Sequence, residues 1–200
     1  MWEELKKGLS LHGMDLSNFI GLSEGMKKEI FQWRNDDRVR SQMLDDRRID
    51  LEEHLRFMEG LKDRHDCLYY LCNYDGGPVG VVSVSNISFR HKRATWGIYK
   101  QPNYRSANHG FMMADCVLIL AFEYLHLNTL KSEILATNKA AIIFNQSLGF
   151  KQEGLLREYI IHPERVIDLV VMGMTAAEYF GLKQCSSPDP STKRVTDSIQ

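Results

Sequence analysis

Apolar side chains spaced three or four residues apart predict the helices of this chain. The first helix has Met26, Ile30 and Trp33 on one face. The second begins at a capping box, because Glu53 stands three residues after Asp50. The four predicted helices cover residues 24–33, 51–61, 110–124 and 139–147.

Strands are predicted where short apolar or alternating runs end at turn residues. Asp75-Gly76-Gly77-Pro78 separates two such runs, and His162-Pro163-Glu164 separates the last two as a hairpin. The predicted strands cover residues 15–20, 67–74, 79–88, 92–99, 129–136, 150–160 and 166–174. This order of elements predicts an α/β fold (α+β in some schemes), with a mostly antiparallel mixed sheet of about seven strands and about four flanking helices.

Composition limits the possible partners. The chain has 200 residues, 44% of them apolar, which suits one domain with its own core. A net charge of -1 gives no reason to expect nucleic acid or a membrane surface as partner, and neither a spanning segment nor a signal peptide is evident. We expect one domain over residues 1–180, weakly ordered over 1–14, and a disordered polar tail over 185–200.

The four cysteines predict neither a disulfide framework nor a metal site. Cys67, Cys72, Cys116 and Cys185 form no Cys-x-x-Cys pair, and their spacing matches no metal-binding pattern. Reduced thiols are typical of cytosolic proteins, so a cytoplasmic location is expected.

The segment that enters the third helix is a candidate anion site. A helix N-terminus presents free N–H groups and the positive end of the helix dipole, which suits a pyrophosphate. Arg105 adds a charge and His109 adds a hydrogen-bond donor. Such a turn needs residues that tolerate a left-handed backbone or allow close backbone approach, and Asn108 and Gly110 both qualify. An ordinary helix start explains the same residues.

Two phrases together resemble the GNAT acetyltransferases. Arg105-x-x-Asn108-x-Gly110 is similar to the pyrophosphate loop of that family, and Asn138-x-x-Ala141 followed by Leu148-Gly149-Phe150 is similar to its second signature. The resemblance extends over residues 29–179 and implies a GNAT-like fold that uses acetyl-CoA as co-substrate, without a metal. It also implies a splayed strand over residues 95–100. The residues that it assigns to acetyl-CoA are Ile98, Lys100, Arg105, Ser106, Asn108, His109, Gly110, Phe111 and Asn138.

Three further phrases resemble one branch of the family. They are Phe31-Gln32-Trp33-Arg34-Asn35, residues 52–57, and Gly97-Ile98-Tyr99-Lys100-x-Pro102. That branch acetylates the 4-amino group of a UDP-linked 4-amino-4,6-dideoxy sugar in pseudaminic acid biosynthesis, which serves flagellin glycosylation. The acceptor residues implied are Trp33, Arg34, Met43, His54, Phe57 and Tyr99. Trp33, His54 and Phe57 are equally compatible with a place in the core.

The resemblance also implies the catalytic groups for direct transfer in a ternary complex. Glu133, between apolar neighbours on its strand, is the candidate general base, with a solvent-facing carboxylate as the alternative. Asn145 stands where the family usually has a tyrosine that protonates the thiolate, and an amide cannot supply that proton. Water, Tyr99 or Tyr159 remains for that role.

Three functions are compatible with these residues. The first is the nucleotide-sugar N-acetyltransferase. The second is an acetyltransferase acting on protein N-termini, including ribosomal ones, and the third is a non-catalytic acetyl-CoA-binding module. A homodimer is possible, since sheet-edge dimers are common among relatives.

Overall fold

One eight-stranded sheet organises the molecule, in the order β1-β2-β3-β4-β5-β6-β8-β7. The computed structural model describes residues 1–163 and 165–186. The strands are β1 (Leu9–Leu11), β2 (Met14–Asn18), β3 (Leu68–Tyr74), β4 (Gly77–Ser88), β5 (Arg93–Lys100), β6 (Thr129–Leu135), β7 (Lys151–His162) and β8 (Arg165–Thr175). Neighbours run antiparallel except β5 and β6, which are parallel. The mostly antiparallel mixed sheet predicted from the sequence is confirmed.

Helices cover both faces of this sheet. They are α1 (Trp2–Lys7), α2 (Glu24–Asn35), α3 (Asp37–Arg40), α4 (Leu51–Gly60), α5 (Asn108–Ile119), α6 (Lys139–Ser147) and α7 (Ala176–Ser186). A π-helical turn, Leu120–Tyr124, extends α5. No helix among the described residues is both long and apolar enough to cross a membrane.

The two faces of the sheet carry separate cores. On one face, residues such as Trp96 and Leu130 pack with the buried side of α5 in a large cluster. On the other face, Leu71 and Val81 pack with Ile30 of α2 and Met58 of α4 in a smaller one. Because strand side chains alternate, even-numbered residues of β5 and β6 belong to the first face and odd-numbered ones to the second. We call these the α5 face and the α2/α4 face.

The ends of the chain differ from the sequence prediction. Residues 1–14, expected to be weakly ordered, form α1 and β1, and Leu5, Leu11 and Met14 are buried in the large core. Helix α7 was not predicted either. Within the expected tail, only Cys185 and Ser186 are described, as the end of α7, and the rest lies outside the described residues. These segments are short, so their burial comes from tertiary contacts rather than from periodicity.

The parallel pair β5 and β6 separates after three residue pairs. Arg93, Ala94 and Thr95 pair with Thr129, Leu130 and Lys131. Beyond this point β5 continues to Lys100 and β6 to Leu135 without pairing to each other. The sheet therefore opens in a wedge at its centre, as the resemblance implied.

Candidate active site

A cavity of about 600 Å³ passes through the sheet at this wedge. Its lining includes Trp96, Ile98, Ser132 and Ile134 from the α5 face. Ser83, Ser85, Thr95, Gly97, Tyr99 and Glu133 line it from the α2/α4 face. Volumes of 300–1,000 Å³ are usual for small-molecule sites. One continuous space can therefore hold two ligands that approach from opposite faces.

The α5-face half of the cavity is bordered by helix α6. Asn138 caps this helix, since its Oδ1 accepts a hydrogen bond from Ala141 N at 3.0 Å. Asn145, one helical turn after Ala141, is buried, and its Nδ2 donates to Ala141 O at 2.9 Å. The Oδ1 of Asn145 and the Nε1 of Trp96 are buried without a hydrogen-bond partner among the described residues. Unpaired amide and indole groups beside a free strand edge fit a ligand that carries peptide-like groups.

The loop before α5 lies beyond the cavity lining. Helix α5 begins at Asn108, and no side chain caps it. Neither Asn108 nor Gly110 has a positive φ, so of the two expected alternatives the left-handed backbone is not adopted. Phe111 is exposed and its ring lies 5.0 Å from that of Phe144 on α6. Uncapped N–H groups at this position remain suited to an anion.

Other members of this loop contact one another. The ring of His109 lies 4.3 Å from that of Tyr74, and its Nδ1 is hydrogen-bonded to Tyr104 Oη. Lys100 Nζ donates to Ser106 O at 3.2 Å. Arg105 is exposed. The structure thus gathers the predicted pyrophosphate residues at one helix end, with Ile98 and Asn138 on the cavity itself.

The α2/α4-face half of the cavity contains Arg34, near the end of α2. Arg34 Nη2 donates to Asp45 O at 2.7 Å, whereas Nη1 is buried without a hydrogen-bond partner among the described residues. Burial lowers the pKa of Arg34, and the charges of Tyr99 and Asp45 act in the opposite direction. A partly desolvated guanidinium with an unused N–H is a binding group for an anionic or carbonyl oxygen.

His54 and Trp33 show two different outcomes for the predicted acceptor residues. His54 lines the cavity, and its Nε2 lies 3.1 Å from Lys27 O. Burial lowers the pKa of His54, which favours a neutral ring. Trp33 is buried in the small core and borders a separate depression beside Gln101, so it does not line the cavity. Met43, Phe57 and Tyr99 do line it.

The two predicted catalytic side chains on this face lie in the wedge. Glu133 is 28% exposed at its side chain, and its Oε1 lies 2.7 Å from Lys131 Nζ. Glu133 therefore faces the cavity rather than open solvent alone. Tyr99 is enclosed, and burial raises its pKa against the opposing effect of Arg34, so its hydroxyl keeps its proton. Tyr159, the other tyrosine considered, is 60% exposed on β7 and does not line the cavity.

A loop forms one wall of the site, and sequence reasoning predicted only its Met43 as an acceptor residue. Residues 41–49, here called the acceptor loop, contribute Gln42, Met43, Leu44, Asp45, Arg47 and Ile49 to the cavity lining. The other cavity-lining residues of this segment were not predicted from the sequence. Arg47 Nη1 donates to Glu53 Oε2 of α4 at 2.8 Å, and Arg47 Nε lies 2.8 Å from Asp45 Oδ2. The only sequence signal was the Arg-rich character of the loop next to Arg34.

The site combines a wedge between parallel strands, an uncapped helix end on one face and a cavity that continues to the other face. This arrangement fits a class of protein that transfers a group from an extended, phosphate-bearing carrier to an acceptor on the opposite face of the sheet. Comparisons with known proteins then identify the family. A family model described as an acetyltransferase (GNAT) domain matches residues 27–171.

Individual proteins agree with that match. "Acetyltransferase PseH" from Campylobacter jejuni subsp. jejuni serotype O:23/36 (strain 81-176) is 33% identical over 135 residues, which cover 68% of this chain and 83% of that protein. The crystal structure of Campylobacter jejuni N-acetyltransferase PseH in complex with acetyl coenzyme A has a TM-score of 0.62 and 27% identity, covering 81% of this chain and 98% of that one.

A third protein shares the fold alone. The spermidine N-acetyltransferase from Vibrio cholerae in complex with CoA and spermine has a TM-score of 0.76 at 18% identity, covering 85% of this chain and 99% of that one. Because the family model spans most of its length, the chain belongs to the GNAT acetyltransferases. It is an acetyltransferase, and acetyl-CoA is its acetyl donor.

Proposed function

We propose that the protein transfers acetyl to the 4-amino group of a UDP-linked 4-amino-4,6-dideoxy sugar in pseudaminic acid biosynthesis. The observation that carries this proposal is the state of Arg34. Its Nη1 is buried and unpaired at the acceptor end of the cavity, and no carboxylate lies within ion-pairing distance of it among the described residues. The unused N–H of this charged guanidinium at the acceptor end of the cavity suits an oxygen of a diphosphate.

The acids of the cavity support an anionic acceptor over a polyamine. Asp45 and Glu53 are both paired with Arg47, and Glu133 is paired with Lys131. A polyamine would need carboxylates that are free to receive its charges. The 33% identity to PseH favours the same conclusion, and the pathway and its role in flagellin glycosylation come with that resemblance.

The residues that line the acceptor half of the cavity suit a sugar. Ser83, Ser85 and Thr95 form a row of hydroxyl groups on the α2/α4 face, next to the small residue Gly97. Phe57 and Tyr69, with ring centroids 5.2 Å apart, form an apolar wall at the other end. Hydroxyl groups bind sugar oxygens, and aromatic faces pack on a uracil or sugar ring.

Residue roles follow from this placement. Acetyl-CoA supplies a thioester whose carbonyl carbon the acceptor amine attacks. In the proposal, Glu133 accepts the proton that the amine loses, directly or through water. The free edge of β5 near Ile98 binds the carrier arm, together with Asn138. The pyrophosphate is assigned to the α5 N-terminus and its loop, residues Arg105, Ser106, Asn108, His109, Gly110 and Phe111, with Lys100 behind it.

The proton donor for the departing thiolate is assigned to Tyr99 or to water. The amide of Asn145 is oriented by Ala141 O, to which its Nδ2 donates, so its oxygen is the atom left for the cavity. An amide oxygen accepts hydrogen bonds and gives no proton. Asn145 can therefore hold a water or a carrier N–H. The Tyr99 hydroxyl carries a proton that it can donate, but burial raises its pKa and makes it a weaker acid, so water is kept as the alternative donor.

An acetyl-CoA consumption assay with a panel of UDP-4-amino sugars tests the proposal, with the 4-hydroxy analogues as matched controls. We expect turnover only with the amines and a product heavier by one acetyl group. Turnover with peptide N-termini alone would instead support the protein acetyltransferase hypothesis. Acetyl-CoA binding without any turnover would support a non-catalytic module.

Two further parts of the proposal concern location and assembly. A cytoplasmic location is proposed from the cysteine spacing and from the nucleotide-sugar acceptor.

A homodimer is proposed because β7 is an edge strand with exposed apolar residues such as Leu155 and Ile161. Sedimentation of the purified protein measures its mass directly, and a monomer at all concentrations would contradict the dimer.

A further inference from the structure

The acceptor loop has neither helix nor strand, so side chains hold its backbone in place. Asn35 binds the C-terminal end of the loop, because its Nδ2 donates to Ile49 O at 2.9 Å and its Oδ1 accepts from Ile49 N at 3.0 Å. Arg34 Nη2 binds Asp45 O at 2.7 Å, and Arg40 Nη1 binds Asp46 O. All three of these side chains belong to α2 or α3, on one side of the loop.

The β7–β8 hairpin, which is more than a hundred residues away in the sequence, contacts the other side of the loop. His162 ends β7 and is 5% exposed, whereas most of this strand is exposed. Its Nε2 lies 3.1 Å from Leu44 O, whereas its Nδ1, at 3.1 Å from Asp46 Oδ2, makes no hydrogen bond among the described residues. Arg165 on β8 adds a longer bond from Nη2 to Ser41 O at 3.5 Å.

This contact acts at the centre of the cavity wall. Leu44 lines the cavity together with its neighbours Met43 and Asp45. A carbonyl oxygen accepts, so His162 presents its Nε2 as an N–H donor to Leu44 O. A buried ring that lies against Leu44 and Asp46 of an irregular loop limits the number of conformations that the loop can adopt.

We propose that His162 is a positioning residue, which fixes the acceptor loop over the cavity and thereby sets the affinity for the acceptor. It touches the loop backbone rather than the reacting atoms. The proposal rests on the proposed function only for the identity of the acceptor, since the loop contact itself is independent of it.

Limited trypsin digestion measures loop mobility without any acceptor. Arg47 and Arg48 are loop cleavage sites with side chains 57% and 67% exposed. Arg90 and Lys92, exposed in the β4–β5 turn, serve as reference sites in the same molecule. Loss of a buried hydrogen bond should raise the loop cleavage rate of His162→Leu about tenfold relative to the reference sites.

Three other variants separate positioning from general destabilisation. His162→Gln keeps an N–H near the position of Nε2, so it should restore slow cleavage. Val166→Ala, at a residue of β8 that is 57% exposed, should cleave like the parent. Arg165 is exposed, so the Arg165→Ala variant should fold normally with His162 in place. It should raise the loop cleavage rate by about twofold. Unchanged loop cleavage in both His162→Leu and Arg165→Ala would overturn the proposal.

Steady-state kinetics with a UDP-4-amino sugar give the functional half of the test. His162→Leu should raise KM for the sugar about tenfold and leave KM for acetyl-CoA unchanged, with recovery in His162→Gln. Equal changes in both KM values would overturn the assigned role. If the parent enzyme turns over no such sugar, the proposed acceptor fails, while the digestion still decides the role of His162 in holding the loop.

Discussion

The two halves of the cavity are built in different ways. The acetyl-CoA half uses regular elements: the free edge of β5, the cap of α6 at Asn138, and the start of α5. The acceptor half is closed by an irregular loop whose backbone is held by Arg34, Asn35 and His162. Backbone geometry recognises a cofactor that is common to a family, whereas loop side chains can change with the acceptor.

This contrast leads to separable phenotypes. Changes at β5, α5 or α6 should alter the use of acetyl-CoA, and changes at α2, α4 or the acceptor loop should alter the use of the acceptor. Glu133 lies where the two halves meet, so it should affect the chemical step itself.

The largest effect is expected for Glu133→Gln, which keeps the shape of the side chain but removes the base. We expect kcat to fall about 10²- to 10⁴-fold with both KM values nearly unchanged. Lys131→Met provides a matched control, because it removes the ion-pair partner of Glu133 and leaves the carboxylate. A pH–rate profile that is the same in Glu133→Gln and in the parent would remove Glu133 from the mechanism.

A reciprocal pair of arginine variants tests the separation of the halves. Arg34→Gln should raise KM for the acceptor about 10- to 100-fold, because one charged hydrogen-bonding group at the acceptor end is lost. Arg105→Gln, at the α5 loop, should instead raise KM for acetyl-CoA. Equal effects of either substitution on both substrates would contradict the separation.

Asn145→Tyr sharpens the question of the proton donor. The position borders the cavity, so a phenol can extend into it and supply the acid that the amide lacks. We expect activity to be kept or raised, by less than about tenfold, because a thiolate leaves readily even without an acid. Complete loss of activity in a folded variant that still binds acetyl-CoA would contradict this assignment.

Asn138→Ala should have a smaller effect, confined to the acetyl-CoA half. Loss of the cap bond to Ala141 N should reduce the free energy of unfolding by about 1 kcal/mol. KM for acetyl-CoA should rise as well if Asn138 contacts the carrier arm. Asn138→Asp keeps the cap, so it separates the two roles: normal stability with a raised KM assigns the amide to the ligand.

The pH dependence of stability should reveal the buried His54. Its pKa in the folded protein is lowered from 6.5 by burial, so the unfolded state binds the proton more readily. Stability should therefore fall as the pH drops below about 6.5, and His54→Gln should reduce that fall. Urea midpoints near neutral and mildly acidic pH measure it, with exposed His91→Gln as the control. Identical pH dependence in parent and His54→Gln would refute the buried state.

Sequence reasoning succeeded where a pattern is local. Asp50 caps its helix as predicted, and α6 covers the predicted residues 139–147. The pyrophosphate loop stays a prediction from short phrases, and Asn108 and Gly110 do not adopt the left-handed backbone that was one expected alternative. Local signals of this kind are encoded within a few residues.

Reasoning from sequence was weaker where contacts are long-range. Trp33 was predicted as an acceptor residue with a place in the core as the alternative, and the structure buries it in the small core. Of the acceptor loop only Met43 was predicted, because nothing local indicates that Leu44 meets His162, which is 118 residues away.

Initial rates with both substrates varied test the central claim most directly, namely that one cavity holds donor and acceptor together for direct transfer. The account predicts intersecting lines in double-reciprocal plots, as a ternary complex requires. Parallel lines, together with an acetylated protein isolated in the absence of acceptor, would show a covalent intermediate and contradict the account.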